Sequence, residues 1–215
     1  AAGTTPLQLL RDNPTLQGDP ALYPGQTLVL GLEEERLGKA RSMGYAYPFV
    51  DPAILRGILP FAGALSPFTY GITEEGDLVA LDDALLLALS RAYGVSPWLH
   101  LSTLEPDGRF SSRTAQAVLS SPASQDRLAE QVVRTMEEKG YAGLDVDFEY
   151  IGGDFAQAYA QWIGLLKERL SGTGKEVLAA LAPKTSRDQP GVLYEGHDYA
   201  LLGQAADRVL LMTYE

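Results

Sequence analysis

From Ser42 onward, short apolar segments alternate with segments of helical periodicity, and this order constrains the fold more than any other feature of the sequence. The helical segments are residues 81–93, an apolar stripe that stops at Gly140 and a second stripe that ends before Gly172. Strands that alternate with helices favour a parallel sheet with right-handed crossovers. The predicted strands are residues 44–50, 62–72, 97–102, 143–151, 176–182 and 208–214.

Six such strands fit either an open doubly wound sheet or part of an eight-stranded barrel. No Gly-rich phosphate-binding loop follows the first strand, where the sequence reads GYAYPFVDP, so dinucleotide binding has no support. In barrels, reactive residues lie at the C-terminal ends of the strands. Glu149 and Tyr214 both lie near the ends of predicted strands.

The stretch GLDVDFEYI, residues 143–151, places carboxylates at the alternate positions Asp145, Asp147 and Glu149. Side chains alternate along a strand, so the three acids share one face, with successive members roughly 6.6 Å apart. In a barrel this face points into the interior, and the apolar residues between the acids pack outward against helices. A barrel strand therefore shelters both faces and reserves one for acids.

Three buried like charges are costly, and their crowding is expected to raise the pKa of at least one carboxyl group. Glu149, nearest the predicted mouth, is best placed to act as a general acid, with Asp147 beneath it and Asp145 deeper. One alternative is an antiparallel strand whose acidic face meets water. Another is a site for a hard metal ion such as Mg²⁺ or Ca²⁺. We predict no metal, because no further acid cluster or His partner is evident.

Composition excludes several classes of function. The net charge of −11 and the absence of a Lys/Arg cluster argue against nucleic acid. With no cysteine, disulfides, thiolate metal sites and a Cys nucleophile are excluded. No apolar run is long enough to enter a membrane, and no signal peptide is visible. We expect the two histidines, His100 and His197, to be structural, and no Ser-His-Asp hydrolase pattern is present.

Residues 1–31 differ in pattern from the rest of the chain. Thr5 and Pro6 predict a helix start, with Thr5 as the N-cap and Pro6 at the first helical position. A turn at residues 23–26 precedes a short predicted strand at residues 27–30. Without further information, this region reads as an arm packed on the main domain, followed by a polar linker at residues 32–41.

Two motifs resemble those of glycoside hydrolase family 18. AGLDVDFE, residues 142–149, resembles the DGxDxDxE signature, with Ala142 in place of the first Asp. MTYE, residues 212–215, resembles the M-x-Y-[D/N] motif of the sixth barrel strand, with Glu215 in the last position. The resemblance implies a (β/α)8 TIM-type barrel at residues 42–215, of which this chain contains strands one to six.

A narrower resemblance is to the bacterial branch of spore-cortex-lytic N-acetylglucosaminidases, through GYAYPFV, SPFTYGITEEG and ADRVLLMTYE. That branch often carries LysM modules ahead of the barrel. TTPLQLLRDNP and LYPGQTLVL are similar to the second half of a LysM module, which assigns residues 1–31 to such a half-module. The implied location is extracellular, in the cell wall or spore envelope.

The resemblance also implies a retaining reaction in which the 2-acetamido group of the substrate is the nucleophile. Glu149 would protonate the glycosidic oxygen, Asp147 would orient the acetamido group, and Asp145 would tune Asp147. Tyr214 would donate a hydrogen bond to the acetamido oxygen. No cofactor is implied. The residues expected to contact the sugar are Tyr45, Tyr47, Phe68, Tyr70, Met212 and Glu215.

We therefore expect a glycosidase that cleaves N-acetylglucosamine linkages in bacterial peptidoglycan, with spore cortex as its substrate. A chitinase or chitooligosaccharide hydrolase is the alternative among enzymes, although LHLSTL on the third strand lacks the SxGG pattern of many chitinases. A lectin-like barrel that binds glycan without cleaving it is the alternative of another class. The retained Glu149 argues against it.

Overall fold

A computed structural model describes residues 3–16, 21–31, 38, 40–105 and 108–214 of the 215-residue chain. It divides the chain into two compact units. The first comprises Ala1–Pro67 and Asp83–Pro97, and the second comprises Phe68–Asp82 and Trp98–Glu215. The division falls inside the predicted barrel region, so the predicted boundaries at residues 31 and 41 stay predictions.

In its described residues, the first unit holds two strands, the start of a third, and three helices. Parallel pairing joins the first strand to the second, and the second to the first two residues of β5. The elements are α1 (Pro6–Asp12), β1 (Met43–Ala46), α2 (Pro52–Ile58), β2 (Ala64–Pro67), α3 (Ala84–Tyr93) and the beginning of β5 (Ser96–Ser102), with 3-10 turns at Pro14–Leu16 and Leu59–Phe61.

The predicted start of α1 is confirmed, because the Thr5 side chain accepts a hydrogen bond from the Gln8 N–H and Pro6 is the first helical residue. The predicted strand at residues 27–30 is wrong. No described strand pairs with this segment, and the side chain of Asn13 takes the place of a partner. Asn13 Oδ1 accepts from the Val29 N–H at 2.7 Å, and Asn13 Nδ2 donates to the Val29 carbonyl at 2.8 Å.

The second unit continues β5 and adds three further parallel strands in the order β5-β6-β7-β8. A short antiparallel pair, β3 with β4, lies outside that sheet. The elements are β3 (Gly71–Ile72), β4 (Leu78–Val79), α4 (Ser112–Ser120), α5 (Pro122–Lys139), β6 (Gly143–Asp147), α6 (Ala156–Arg169), β7 (Glu176–Leu181), α7 (Val192–Glu195), α8 (Tyr199–Ala205) and β8 (Arg208–Leu211), with a 3-10 turn at Gly153–Phe155.

All six predicted parallel strands are present, and most are shorter than predicted. Residues 68–72, for example, do not extend β2: Tyr70 forms an isolated parallel bridge with Leu101 of β5, and Gly71–Ile72 pairs with Leu78–Val79. The helix stops are confirmed more closely. Gly140 caps α5 in the left-handed conformation, at φ 71°, which glycine adopts without steric cost. In the described part of the chain, no helix has the length and apolarity that crossing a bilayer requires.

Candidate active site

Three acidic side chains lie along one face of β6 and the two residues that follow it. Asp145, Asp147 and Glu149 are 0%, 4% and 7% exposed, so none of them faces bulk water. The alternative of an antiparallel strand with a solvated acidic face is therefore excluded. β6 is parallel to both of its neighbours, β5 and β7.

The opposite face of β6 is apolar, as predicted. Leu144, Val146 and Phe148 are fully buried. The Phe148 ring stacks on two aromatic rings of α6, with centroid distances of 5.0 Å to Trp162 and 5.8 Å to Tyr159. This packing holds the segment that carries Glu149 against the helix that follows it.

The acidic face of β6 is layered against β5. Parallel pairing brings side chains of the same face together, and the residue pairs in order along the strands are Trp98 with Gly143, His100 with Asp145, and Ser102 with Asp147. The first layer is filled by the Trp98 ring, since a Cβ at Gly143 would lie 2.6 Å from two of its ring carbons. Above this apolar layer, the face is polar.

The imidazole of His100 lies next to Asp147. Its Nε2 atom lies 3.6 Å from Asp147 Oδ2, and both side chains are buried. The other ring nitrogen, Nδ1, lies 2.6 Å from the Thr69 hydroxyl, and the ring of Phe68 packs 4.6 Å from the imidazole. The peptide bond between Phe68 and Thr69 is cis.

His197 lies on the other side of β6, between two backbone groups. Its Nδ1 accepts a hydrogen bond from the Ala182 N–H at 2.9 Å, and its Nε2 lies 2.9 Å from the Phe148 carbonyl. The first bond requires Nδ1 to be unprotonated and the second requires a proton on Nε2, so the ring is neutral. Burial lowers the pKa of His197 below its ordinary value of 6.5, in agreement with this assignment. The imidazole thus fixes the peptide that precedes Glu149.

Asp147 Oδ1 is buried and has no hydrogen-bond partner among the described residues. Burial, with a smaller effect of the Asp147 charge, raises the pKa of Tyr159 far above its ordinary value of 10.0, so its phenol stays protonated. Buried polar atoms are nearly always bonded in folded proteins. A buried carboxylate oxygen without a partner is therefore available to bind a polar ligand.

The chain turns sharply after the third acid. Tyr150 has φ 55°, in the left-handed region that bulky residues rarely occupy, and Gly152 has φ 80°. Such backbone strain is concentrated at functional sites. The turn follows Glu149, which lies two residues beyond the end of β6.

The predicted sugar-contacting residues are dispersed. Phe68 lies against His100, whereas Tyr70 is 1% exposed and its hydroxyl accepts a hydrogen bond from Lys139 Nζ at 2.7 Å. Met212, one residue beyond β8, is buried, and Tyr214 is 68% exposed. Tyr45 and Tyr47, 38% and 49% exposed, belong to the first unit, and Glu215 lies outside the described residues. Their contact with a sugar stays a prediction.

The contacts of the two histidines were not predicted from the sequence. For His100 a signal was present, because Trp98, His100 and Ser102 alternate on β5 as the acids do on β6. For His197 there was none, since it lies in a loop and its partners are 49 and 15 residues away. No group of three or more potential ligands converges to hold a metal ion within the described ranges.

A family model supports the sequence resemblance. The model described as Glycosyl hydrolases family 18 matches residues 108–215, which include all three acids. A curated protein of Bacillus subtilis (strain 168), the cortical fragment-lytic enzyme, is 31% identical over 156 residues. That alignment covers 73% of this chain but only 36% of the relative.

Solved structures give the fold. The spore cortex-lytic enzyme SleL of Bacillus megaterium QM B1551 superposes with a TM-score of 0.79 at 27% identity, over 99% of this chain and 53% of that protein. A chitinase from Chromobacterium violaceum ATCC 12472 has a TM-score of 0.71 at 22% identity, over 81% of this chain and 56% of that protein. The predicted barrel class is thus confirmed for the strands present, and the chain spans about half the length of these structures. The LysM assignment stays a prediction.

Proposed function

Because the chain belongs to family 18 of the glycosyl hydrolases, we propose that it is a retaining, substrate-assisted glycosidase that cleaves N-acetylglucosamine linkages. The observation that carries this proposal is the buried row of carboxylates along β6 and the two residues after it, Asp145, Asp147 and Glu149. Sheltered acids at the end of a parallel strand are suited to proton transfer and to stabilising positive charge away from water.

In the first half of the reaction, the Glu149 carboxyl group donates its proton to the glycosidic oxygen. The carbonyl oxygen of the substrate's own 2-acetamido group attacks C1 as the C1–O bond breaks, which forms an oxazolinium ion. The positive charge of this ion develops next to Asp147, whose carboxylate accepts the acetamido N–H. Asp145, which lies deeper, adds negative charge below it.

In the second half, the Glu149 carboxylate takes a proton from water as the water oxygen attacks C1, and the ring of the oxazolinium opens. Tyr214 donates its hydroxyl to the acetamido oxygen in both halves. Phe68 and Met212 form part of the floor under the sugar. His100 keeps the Asp147 carboxylate in place through its contact at 3.6 Å.

We propose bacterial peptidoglycan, in the form of spore cortex, as the substrate, with the cell wall or spore envelope as the place of action. The similarity to the cortical fragment-lytic enzyme and to SleL supports this choice. A LysM half-module at residues 1–31 would keep the enzyme on the glycan.

The test is hydrolysis of purified spore-cortex peptidoglycan and of chitin oligomers by the full chain and by its Glu149→Gln variant, with products identified by mass spectrometry. We expect cleavage after N-acetylglucosamine in cortex, and a loss of about 10²–10⁴-fold in the variant, because a general acid contributes that much. Glu168→Gln, at an exposed position on α6, is the matched control and should cleave normally.

Two outcomes would change the assignment. Cleavage of chitin oligomers without cleavage of cortex would identify the chain as a chitooligosaccharide hydrolase. Binding of either glycan without cleavage, equal in the wild type and in Glu149→Gln, would identify a lectin-like barrel and refute the enzyme assignment.

A further inference from the structure

A cavity of about 360 Å³ lies beyond the C-terminal end of β7, within the second unit. It is lined by the loop that follows β7, including Lys184 and Arg187, and by the first residues of α8, including Tyr199. Because β6 and β7 are parallel neighbours, the segments that follow them emerge at the same edge of the sheet. The cavity is thus at the edge that carries Glu149.

The aromatic wall of the cavity is rigid. The hydroxyl of Tyr199 donates to the Ala182 carbonyl at 2.7 Å and accepts from the Lys184 N–H at 2.9 Å. With its hydroxyl held from both sides, the ring cannot swing away, and 37% of the residue is exposed. A fixed and partly exposed aromatic ring is a suitable surface for an apolar sugar face or an acyl group.

The charge of the cavity differs from that of the chain. Although the net charge is −11, the cavity is lined by Lys184 and Arg187. Asp198 also lines it, but its Oδ1 already accepts the N–H groups of Ala200 and Leu201 at the start of α8. Arg187 is exposed, and no carboxylate lies within ion-pair distance of it in the part of the chain that the structure describes.

A short series of hydrogen bonds joins the cavity to the acid. Lys184 Nζ donates to the His197 carbonyl at 3.2 Å, and it lies 5.7 Å from the centre of the Tyr199 ring. The ring of His197 in turn bonds the Phe148 carbonyl, which immediately precedes Glu149. The cavity is therefore connected, through Lys184 and His197, to the residue that precedes Glu149.

We propose that this cavity is a subsite for a carboxylate carried by the glycan, with Arg187 and Lys184 as its cationic partners and Tyr199 as its wall. Guanidinium groups bind carboxylates through paired charge-assisted hydrogen bonds. In peptidoglycan, such a carboxylate is either the lactyl group of muramic acid or a carboxylate of the peptide stem. The subsite rests on the proposed function, and it distinguishes peptidoglycan from chitin, which is neutral.

The experiment measures kcat and KM of the wild type and of Arg187→Gln on three substrates. These are peptidoglycan with its stem peptides, peptide-free glycan strands with free lactyl carboxylates, and chitin oligomers. We expect a KM increase of about tenfold that is confined to glycans with carboxylates, since a hydrogen bond to a charged group is worth about that factor. Arg134→Gln, an exposed arginine of α5, is the matched control and should leave every KM unchanged.

The pattern across substrates identifies the carboxylate. An increase for the peptide-free strands assigns the subsite to the lactyl group, and an increase only for the peptide-bearing polymer assigns it to the stem. An unchanged KM on both, or an equal increase on chitin, overturns the subsite while leaving the glycosidase intact.

Calorimetric binding of the peptide-free strands and of the stem-bearing polymer in a Glu149→Gln background gives a readout that needs no cleavage. If the wild type cleaves nothing, the proposed function fails, and this measurement still decides the subsite. A Kd about tenfold weaker for either glycan when Arg187→Gln is added would support it, and equal Kd values for both would refute it.

Discussion

The polar groups at the two ends of the parallel strands in the second unit differ in whether they have hydrogen-bond partners. At the C-terminal end, Asp147 Oδ1 is buried without a hydrogen-bond partner among the described residues. At the N-terminal end, Asp207 accepts from Lys167 Nζ at 2.8 Å and from the Val177 N–H at 2.9 Å. An unsatisfied buried polar group costs about 1–3 kcal/mol of stability. The contrast indicates that one end is built for ligands and the other for stability.

Among the variants that compare the two ends, the largest effect is expected from Asp147→Asn, which keeps the shape of the side chain and removes its charge. We expect kcat/KM to fall about 10²–10³-fold, because an electrostatic partner of the transition state is lost. The free energy of unfolding should stay within about 1 kcal/mol of the wild type, or rise, since crowded buried charges are relieved. Glycan hydrolysis and urea unfolding provide the two numbers.

The control is Asp126→Asn, whose carboxylate forms an exposed ion pair with Arg169. It should alter neither quantity appreciably. A large loss of stability in Asp147→Asn, with activity per folded molecule unchanged, would show that the C-terminal end serves stability rather than ligand binding.

His197→Phe tests whether every polar group at the C-terminal end serves chemistry. This residue bonds two backbone groups, so we expect its replacement to lower the free energy of unfolding by about 2–4 kcal/mol, as two buried groups lose their partners. Activity per folded molecule should also fall, because the peptide before Glu149 is released. Urea unfolding at pH 7.5 measures the first effect.

The free energy of unfolding of the wild type and of His197→Phe should depend on pH differently. Burial lowers the pKa of His197 from 6.5. Below pH 6.5, His197 therefore binds a proton in the unfolded chain while it stays neutral in the folded chain. The wild type therefore loses stability as the pH falls from 6.5 to the folded pKa, by at most about 1.4 kcal/mol per pH unit. His197→Phe should lack this contribution. An equal slope in both proteins between pH 7.5 and 5.5 would contradict the neutral assignment.

Gly143→Ala tests the N-terminal end. The added Cβ would lie 2.6 Å from two carbons of the Trp98 ring, and we expect a loss of about 1–3 kcal/mol of unfolding free energy from overpacking. Activity per folded molecule should be unchanged. Gly164→Ala, where a Cβ meets nothing within 4 Å in the middle of α6, is the matched control and should stabilise by about 0.5–1 kcal/mol. If Gly143→Ala also raised the free energy of unfolding, close packing at Gly143 would be unimportant.

These features differ in how far the sequence predicts them. The alternation of acids and apolar residues on β6 is local, so it predicted both faces of the strand. Most strands were predicted too long, because hydrophobicity continues past the point where the backbone leaves the ladder, as it does for β6 after Asp147. The prediction of a strand at residues 27–30 was wrong because a strand needs a partner strand. A single side chain, that of Asn13, supplies the hydrogen bonds there instead.

The site itself was predictable only where it follows the period of a strand. Asp145, Asp147 and Glu149 were found from their spacing, whereas the contact of His100 with Asp147 depends on the register between β5 and β6. His197 depends on a loop conformation that no periodic pattern encodes. Contacts between side chains of distant segments are set by tertiary packing, so they cannot be predicted from the patterns of a single sequence.

The smallest effect is expected from Asp207→Asn, at the N-terminal end. Burial opposes ionisation of Asp207, but its bonds from Lys167 and Val177 outweigh that and lower its pKa below the ordinary 3.8. Its contribution is thus present above pH 3.8 and is lost as the pH falls through the folded pKa. Because this ion pair is partly exposed, we expect a loss below about 1 kcal/mol at pH 7, with kcat unchanged. Urea unfolding at pH 7 and pH 3 checks this, since the difference between wild type and variant should shrink at the lower pH. A difference that grows on acidification, or a fall in kcat, would mean that the N-terminal end is not purely structural.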